Sequence, residues 1–232
     1  MAMLKVATYN IHGCIGLDGR HDPSRIADVL YEIGADILAL QEVDTGLSHN
    51  SSVNQLEYLK RVLGYHAIEG LIMKKKTGVF GNVLLTSHKI LAARQRDLTI
   101  LGGRQRRGAI DADIDISGHP LRVVATHLGL AFHERYFQIR RLLHLLGTDR
   151  KSPVLIMGDF NLFTSGLPRF RRLQRRLGAV PKIKTFPAGY PLLPLDRIWS
   201  QPKTALISIS AHQTPLSRIA SDHLPLVGHL HY

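Results

Sequence analysis

VLIMGDFN, residues 154–161, runs from an unbroken apolar stretch straight into an acid and an amide. A segment apolar on both of its faces is a strand buried on both sides, the kind found in sheets covered by helices. Its polar end then lies at the rim of that sheet. The same plan recurs elsewhere in the chain. LKVATYNI (4–11) reads as a strand ending at Asn10, and ADILALQEV (35–43) as a second buried strand ending at Gln41-Glu42. Between them Asp22-Pro23 opens a helix carrying Ile26, Val29, Leu30 and Ile33, and Gly34 stops it. The second half repeats this order: a strand at 121–128 ending Thr126-His127, a helix over Ala131–Leu146, then VLIMG. Gln55–Leu63 reads as a helix, and 65–72, 79–86, 89–98 and 107–116 as strands. The alternation gives an α/β fold containing a duplicated half, in which polar residues gather along one edge.

The chain has 232 residues, enough for one large core and short for two, so a single domain over 1–232 is expected. Its composition, 44% hydrophobic and 21% charged, is that of a globular protein rather than a disordered one. Lys and Arg number 30 against 18 Asp and Glu, a formal charge of +12 that favours anionic partners. Cys14 is the only cysteine, which excludes an intrachain disulfide and a four-cysteine metal site. No apolar run reaches transmembrane length, and MAMLKVATYN lacks a signal-peptide plan, so a cytoplasmic location is expected.

Polar residues interrupt or end the apolar strands at Asn10, Glu42, His127, Asp159 with Asn161, Asp196, and Asp222 with His223. Any one of them can be a turn residue or a partner in a salt bridge. Together they suggest a site. Glu42 follows Ile37, Leu38 and Leu40, where an unpaired carboxylate is costly to bury. A hard cation such as Mg²⁺ would offset that cost, and so would an arginine. Asp159 and Asn161 stand at i and i+2 of an extended segment and so point the same way. One can handle a water or a metal while the other donates to a phosphate oxygen. In Ser221-Asp222-His223-Leu224-Pro225 the histidine is suited to proton transfer, with Asp196 of LDRIW placed to orient its ring. The other histidines, His12 and His133 among them, are read as structural.

The ordered strings TYNIHG, LQEV, GNVLLTS, RGAIDADI, THL, GDFN, LDRIW and SDHLPL resemble the endonuclease/exonuclease/phosphatase superfamily, the deoxyribonuclease I-like fold. The likeness covers residues 4–230 and is nearest to small bacterial hydrolases of that superfamily. It implies a four-layer α/β/β/α sandwich of two mixed sheets with outer helices. It further implies a Mg²⁺- or Mn²⁺-dependent phosphoester hydrolase. Glu42 would be the main metal ligand, with Asn10 and Asp222 near the ion. Asp159 would position or activate the attacking water, and Asn161 and His127 would stabilise the phosphate. His223, oriented by Asp196, would serve as base or phosphate-contacting acid. Asn82 and Arg107 match substrate-contacting positions more weakly. Abasic-site branches carry a tyrosine-centred string where this chain has Thr126-His127-Leu128, a form similar instead to deoxyribonuclease I, sphingomyelinases, inositol-phosphate phosphatases and deadenylases.

Basic residues cluster at Lys74-Lys75-Lys76 and Arg104-Gln105-Arg106-Arg107, both expected in loops, and along a helix over Arg169–Arg176. Nucleic acid is the favoured substrate, through contacts to its phosphates. An anionic lipid surface is the alternative, and a non-catalytic anion-binding module a third reading. No obligate protein partner is implied. Aromatic residues make up only 6%, so the sequence offers no extended platform for stacking bases.

Overall fold

The computed structural model describes residues 3–44, 54–75, 78–100, 103, 105–147, 153–162 and 168–232. In chain order the main elements are β1 (Met3–Asn10), α1 (Pro23–Ile33), β2 (Ile37–Asp44), α2 (Gln55–Leu63), β3 (His66–Lys75), β4 (Gly78–Thr86), β5 (Ile90–Asp97) and β6 (Gly108–Ile116). There follow β7 (His119–His127), α3 (Phe132–Leu145), β8 (Val154–Asp159), α4 (Pro168–Leu177), β9 (Asp196–Gln201), β10 (Leu206–Ala211), α5 (Ser217–Ala220) and β11 (Leu226–His231).

Two mixed sheets form, ordered β10-β11-β1-β2-β4-β3 and β5-β6-β7-β8-β9. In the first, β1 runs parallel to β2 and each has an antiparallel outer neighbour. In the second, β7 and β8 repeat that arrangement between β6 and β9. The duplication read from the strand–helix–strand order is therefore a real feature of the pairing.

Side-chain alternation explains why these strands read as continuous apolar runs. On β1, Leu4 and Val6 enter the core between the sheets, while Ala7 and Tyr9 pack beneath α1 and α2. On β8, Leu155 and Met157 face the inter-sheet core, and Val154 and Ile156 meet the layer of α3 and α4. Three apolar layers thus separate helices, sheet, sheet and helices, the four-layer sandwich expected.

Local chemistry sets the helix ends. Asp22 accepts the Arg25 N–H at 3.1 Å, Pro23 occupies the first turn, and Gly34 closes α1 at φ 56° with its N–H on Leu30 O. Inside β8, Gly158 has no permitted substitute: a Cβ there would lie 1.8 Å from Thr126 O. That close approach brings the polar ends of β7 and β8 into register, His127 opposite Asp159.

Several expectations are corrected. Lys74 and Lys75 lie on β3, not in a loop, whereas Lys76 and Arg104 fall outside the described residues. The strands β9, β10 and β11 were not anticipated. In β9 the polar residues Arg197 and Ser200 hide the pattern, yet both are buried. Arg197 survives there by donating from Nη1 to Asp196 O at 2.8 Å. In α4, Leu173 and Leu177 are buried while Arg171, Arg172 and Arg175 are exposed, so the helix is a core-facing one with a solvated cationic side.

Candidate active site

Parallel pairing places the C-terminal ends of β1 and β2 together, and likewise those of β7 and β8; β1 also packs across β8. The polar strand ends therefore converge from both sheets. They open into a cleft of about 430 Å³ lined by Asn10, Glu42, Arg107, His127, Asp159, Asn161, Asp222 and His223, among others. Glu42, Asp159 and Asp222, far apart in the sequence, share that one cavity. Larger cavities lie elsewhere on the surface, but they lack this gathering of acids, amides and imidazoles.

Asp159 is the hub. Its Oδ1 accepts the Asn161 backbone N–H at 2.8 Å, and its Oδ2 accepts from Asn10 Nδ2 at 3.3 Å, a bond that crosses between the sheets. The same Oδ2 lies 3.5 Å from His127 Nε2 and 3.8 Å from His223 Nε2. Burial, then the nearby Asp196, push the Asp159 carboxyl above the usual carboxylate range, against the pull of His223. Behind the cleft, His223 Nδ1 donates to Asp196 Oδ2 at 2.9 Å, and Thr185 Oγ1 donates to that same oxygen at 2.5 Å. Burial alone would lower the His223 pKa; the charge and hydrogen bond of Asp196, with Asp159 and Asp222, outweigh it and hold the imidazole protonated. Phe186 covers the ring at 4.9 Å between centroids.

Backbone strain is concentrated here. Glu42 sits at φ 56° and Asn161 at φ 51°, left-handed conformations rare outside glycine. Glu42 coincides with the shift in β2–β4 register between Leu40 and Val43, a bulge that turns its side chain into the cleft. Arg107 is deeply buried. Its Nη2 donates to Gln105 Oε1 at 2.9 Å, while Nε and Nη1 have no partner among the described residues. Burial depresses its pKa, and its charge is favoured first by Glu42 and then by Asp159. The arginine weighed as a partner for Glu42 is thus part of the same cleft.

Two expected residues stand apart from the cavity wall. Asp196 acts from behind, through His223. Asn82 is buried and donates from Nδ2 to Gly108 O at 3.2 Å, joining β4 to β6. His12, read from sequence as structural, lines the cleft with its Nδ1 4.0 Å from Asp222 Oδ1. Its position two residues after Asn10 was the available signal. Thr185 gave none.

Glu42, Asn10 and Asp222 each bring an oxygen donor to the cleft, the donor type of a hard divalent cation. Asp159, Asp196 and His223 form a second group, each offering a ligand atom, all within 4.8 Å of one another. In a chain of charge +12, four carboxylates in and behind one cleft is the reverse of the surface trend, and the residues present fit a bound metal ion.

Comparison with known proteins accords with this geometry. Escherichia coli (strain K12) YbhP is 28% identical over 98% of this chain and 96% of its own length. A Beutenbergia cavernae endonuclease/exonuclease/phosphatase structure superposes with a TM-score of 0.83 at 24% identity, covering 99% of this chain and 72% of that one. The Bacteroides thetaiotaomicron mannosyl-6-phosphatase Bt3783 gives 0.76 at 17%, covering 99% and 100%. D. rerio TDP2 complexed with single strand DNA product gives 0.73 at 20%, covering 100% of each chain. These structures share the fold. The Endonuclease/Exonuclease/phosphatase family model matches residues 7–223, which takes in Asn10 at one end of the cleft and His223 at the other, and so the chain belongs to that family.

Proposed function

We propose that this protein is a phosphodiester hydrolase dependent on Mg²⁺ or Mn²⁺. The observation that carries the reading is the convergence of Glu42, Asp159, Asp222 and His223 from both sheets on one cleft that also presents Arg107. Glu42, with Asn10 and Asp222, would hold the ion. When bound, it would neutralise charge on the phosphate oxygens and on the departing oxygen.

The protein side of the reaction follows from the positions described. Asp159, raised by burial and reached by two imidazoles, orients a water and takes its proton at Oδ2. The water oxygen bonds to phosphorus while the bond to the alcohol oxygen breaks. The His223 Nε2 proton passes to a phosphate oxygen or to the departing alcohol, with Asp196 fixing the ring by its other nitrogen. Asn161 and His127 donate to non-bridging oxygens, and Nη1 of Arg107, without a partner among the described residues, adds a charged donor. A phosphomonoester and an alcohol leave.

The proteins of this fold compared above act on or bind quite different phosphates, a sugar phosphate and a DNA strand. Nucleic acid as substrate here rests on the overall positive charge. The test of the hydrolase reading is turnover of bis-p-nitrophenyl phosphate by folded protein: activity with Mg²⁺ or Mn²⁺, none with EDTA. A folded, metal-supplied protein without turnover would leave an anion-binding module instead.

A further inference from the structure

The surroundings of the cleft carry more information than its floor. Leu130 lines the cavity and is 70% exposed, and Phe132 follows it at the start of α3. A short hairpin whose Phe186 and Leu193 line the same cavity and form its closing bridge exposes Tyr190 (74%) and Leu192. This hairpin is not isolated. Its Gly189 lies against the Leu17 side chain, and the Leu17 N–H donates to the carbonyl of Ile219, another exposed apolar residue. Exposed aliphatic and aromatic side chains thus flank the charged cleft on the two segments that line it, with Leu17 against the hairpin and Ile219 bonded to Leu17 through its backbone. A monomeric surface rarely leaves such a patch open without a use for it.

Cations accompany these side chains. Arg218 is held on the hairpin by its bond to Gly189 O, Arg20 closes the loop that carries Leu17, and exposed Arg106 precedes Arg107 at the cavity wall. Apolar tips among arginines match an interface whose surface is anionic and whose interior is acyl chain. A nucleic-acid strand would gain little from Leu17, Leu192 and Ile219, which can neither stack on bases nor pair with them. A permanent protein cover would seal the cleft.

We propose that this rim docks onto an anionic phospholipid surface and presents a headgroup phosphodiester to the cleft. The inference deepens the hydrolase reading and rests on it for the fate of the lipid; docking itself is testable without catalysis.

The full chain, held in EDTA, is sedimented with phosphatidylcholine vesicles with and without about 30 mol% phosphatidylglycerol, and against a single-stranded oligonucleotide. Binding to the anionic vesicles is expected, weakened roughly tenfold or more in Tyr190→Ser/Leu192→Ser. Melting curves confirm that the variant is folded, and Phe132→Ser serves if it is not. No preference for anionic vesicles, unchanged binding in folded variants, or an oligonucleotide affinity lost through the same substitutions would each overturn the proposal. Vesicle binding in EDTA, together with no diester turnover once Mg²⁺ or Mn²⁺ is supplied, would sink the hydrolase reading and leave the docking surface standing.

Discussion

Replacing Asp196 with asparagine preserves size and shape at a fully buried position and removes one charge. Its Oδ2 is the acceptor for His223 Nδ1 at 2.9 Å, and its Oδ1 has no hydrogen-bond partner among the described residues. A buried hydrogen bond between charged groups contributes about 1.5–3 kcal/mol. At 1.36 kcal/mol per decade of rate, its loss lowers kcat by roughly 10- to 150-fold if the bond orients the proton donor. Stability should fall as well, because a His223 pKa held above its unfolded value contributes stability at neutral pH, and that contribution goes with the carboxylate. Melting temperature is therefore expected to drop.

The pH profile gives an independent sign. Asp196 holds the His223 pKa up against burial, to about 10. The proton-donating form is lost as pH rises through that value. Neutralising Asp196 brings the imidazole pKa down, so the alkaline loss of activity should begin at lower pH. Steady-state hydrolysis of bis-p-nitrophenyl phosphate with Mn²⁺ across pH, beside thermal melts, measures both. A folded variant within about twofold of the parent rate, with an unmoved alkaline limb, would refute the orienting role.

Glu42→Gly should abolish metal-dependent turnover without lowering the melting temperature, since glycine accepts the φ of 56° that the glutamate holds under strain; retained activity would remove Glu42 from the metal site. Away from the cleft, Asp111 is fully buried on β6, with Arg122 Nε donating at 2.8 Å and Arg96 Nη2 at 3.0 Å. Burial pushes its carboxyl up, but the hydrogen bonds of Arg122, Arg94 and Arg96 leave it below the usual range. A depressed folded-state pKa contributes stability above the unfolded value of about 3.9 that is lost as pH falls through the folded value. Asp111→Asn should therefore lower stability at neutral pH and flatten its acid-side loss, as read by urea unfolding at a series of pH values; an unchanged slope would show that the three arginines do not act through that carboxylate.

The strand–helix–strand repeat was legible because its signal is local: LKVATYNI, LALQEV and VLIMG are apolar on both faces, and Asp22, Pro23 and Gly34 mark helix ends by their own chemistry. The cleft was legible because polar strand ends break apolar runs. What escaped depends on the third dimension. Arg197 looks like a surface residue and is instead buried by bonds to backbone carbonyls. Asn82 has the residue type of a substrate contact, yet its partner is Gly108 O across the fold. His12 offered only its nearness to Asn10 as a signal, and it is the turn after β1 that brings it to Asp222. The apolar rim was equally hidden, because Leu17, Leu130, Tyr190 and Ile219 are far apart in sequence and unremarkable singly.

One feature of the architecture bears on how the reaction could be tuned. Glu42 and Asn10 ride on one sheet, Asp159 and His127 on the other, and with Cys14 the lone cysteine no disulfide ties the two together. Their spacing is set by the thickness of the hydrocarbon layer formed by residues such as Ile110, Leu155 and Met157. A methylene gained or lost in that layer translates one bank of reactive groups against the other, so turnover should respond to interior bulk before the protein is anywhere near unfolding.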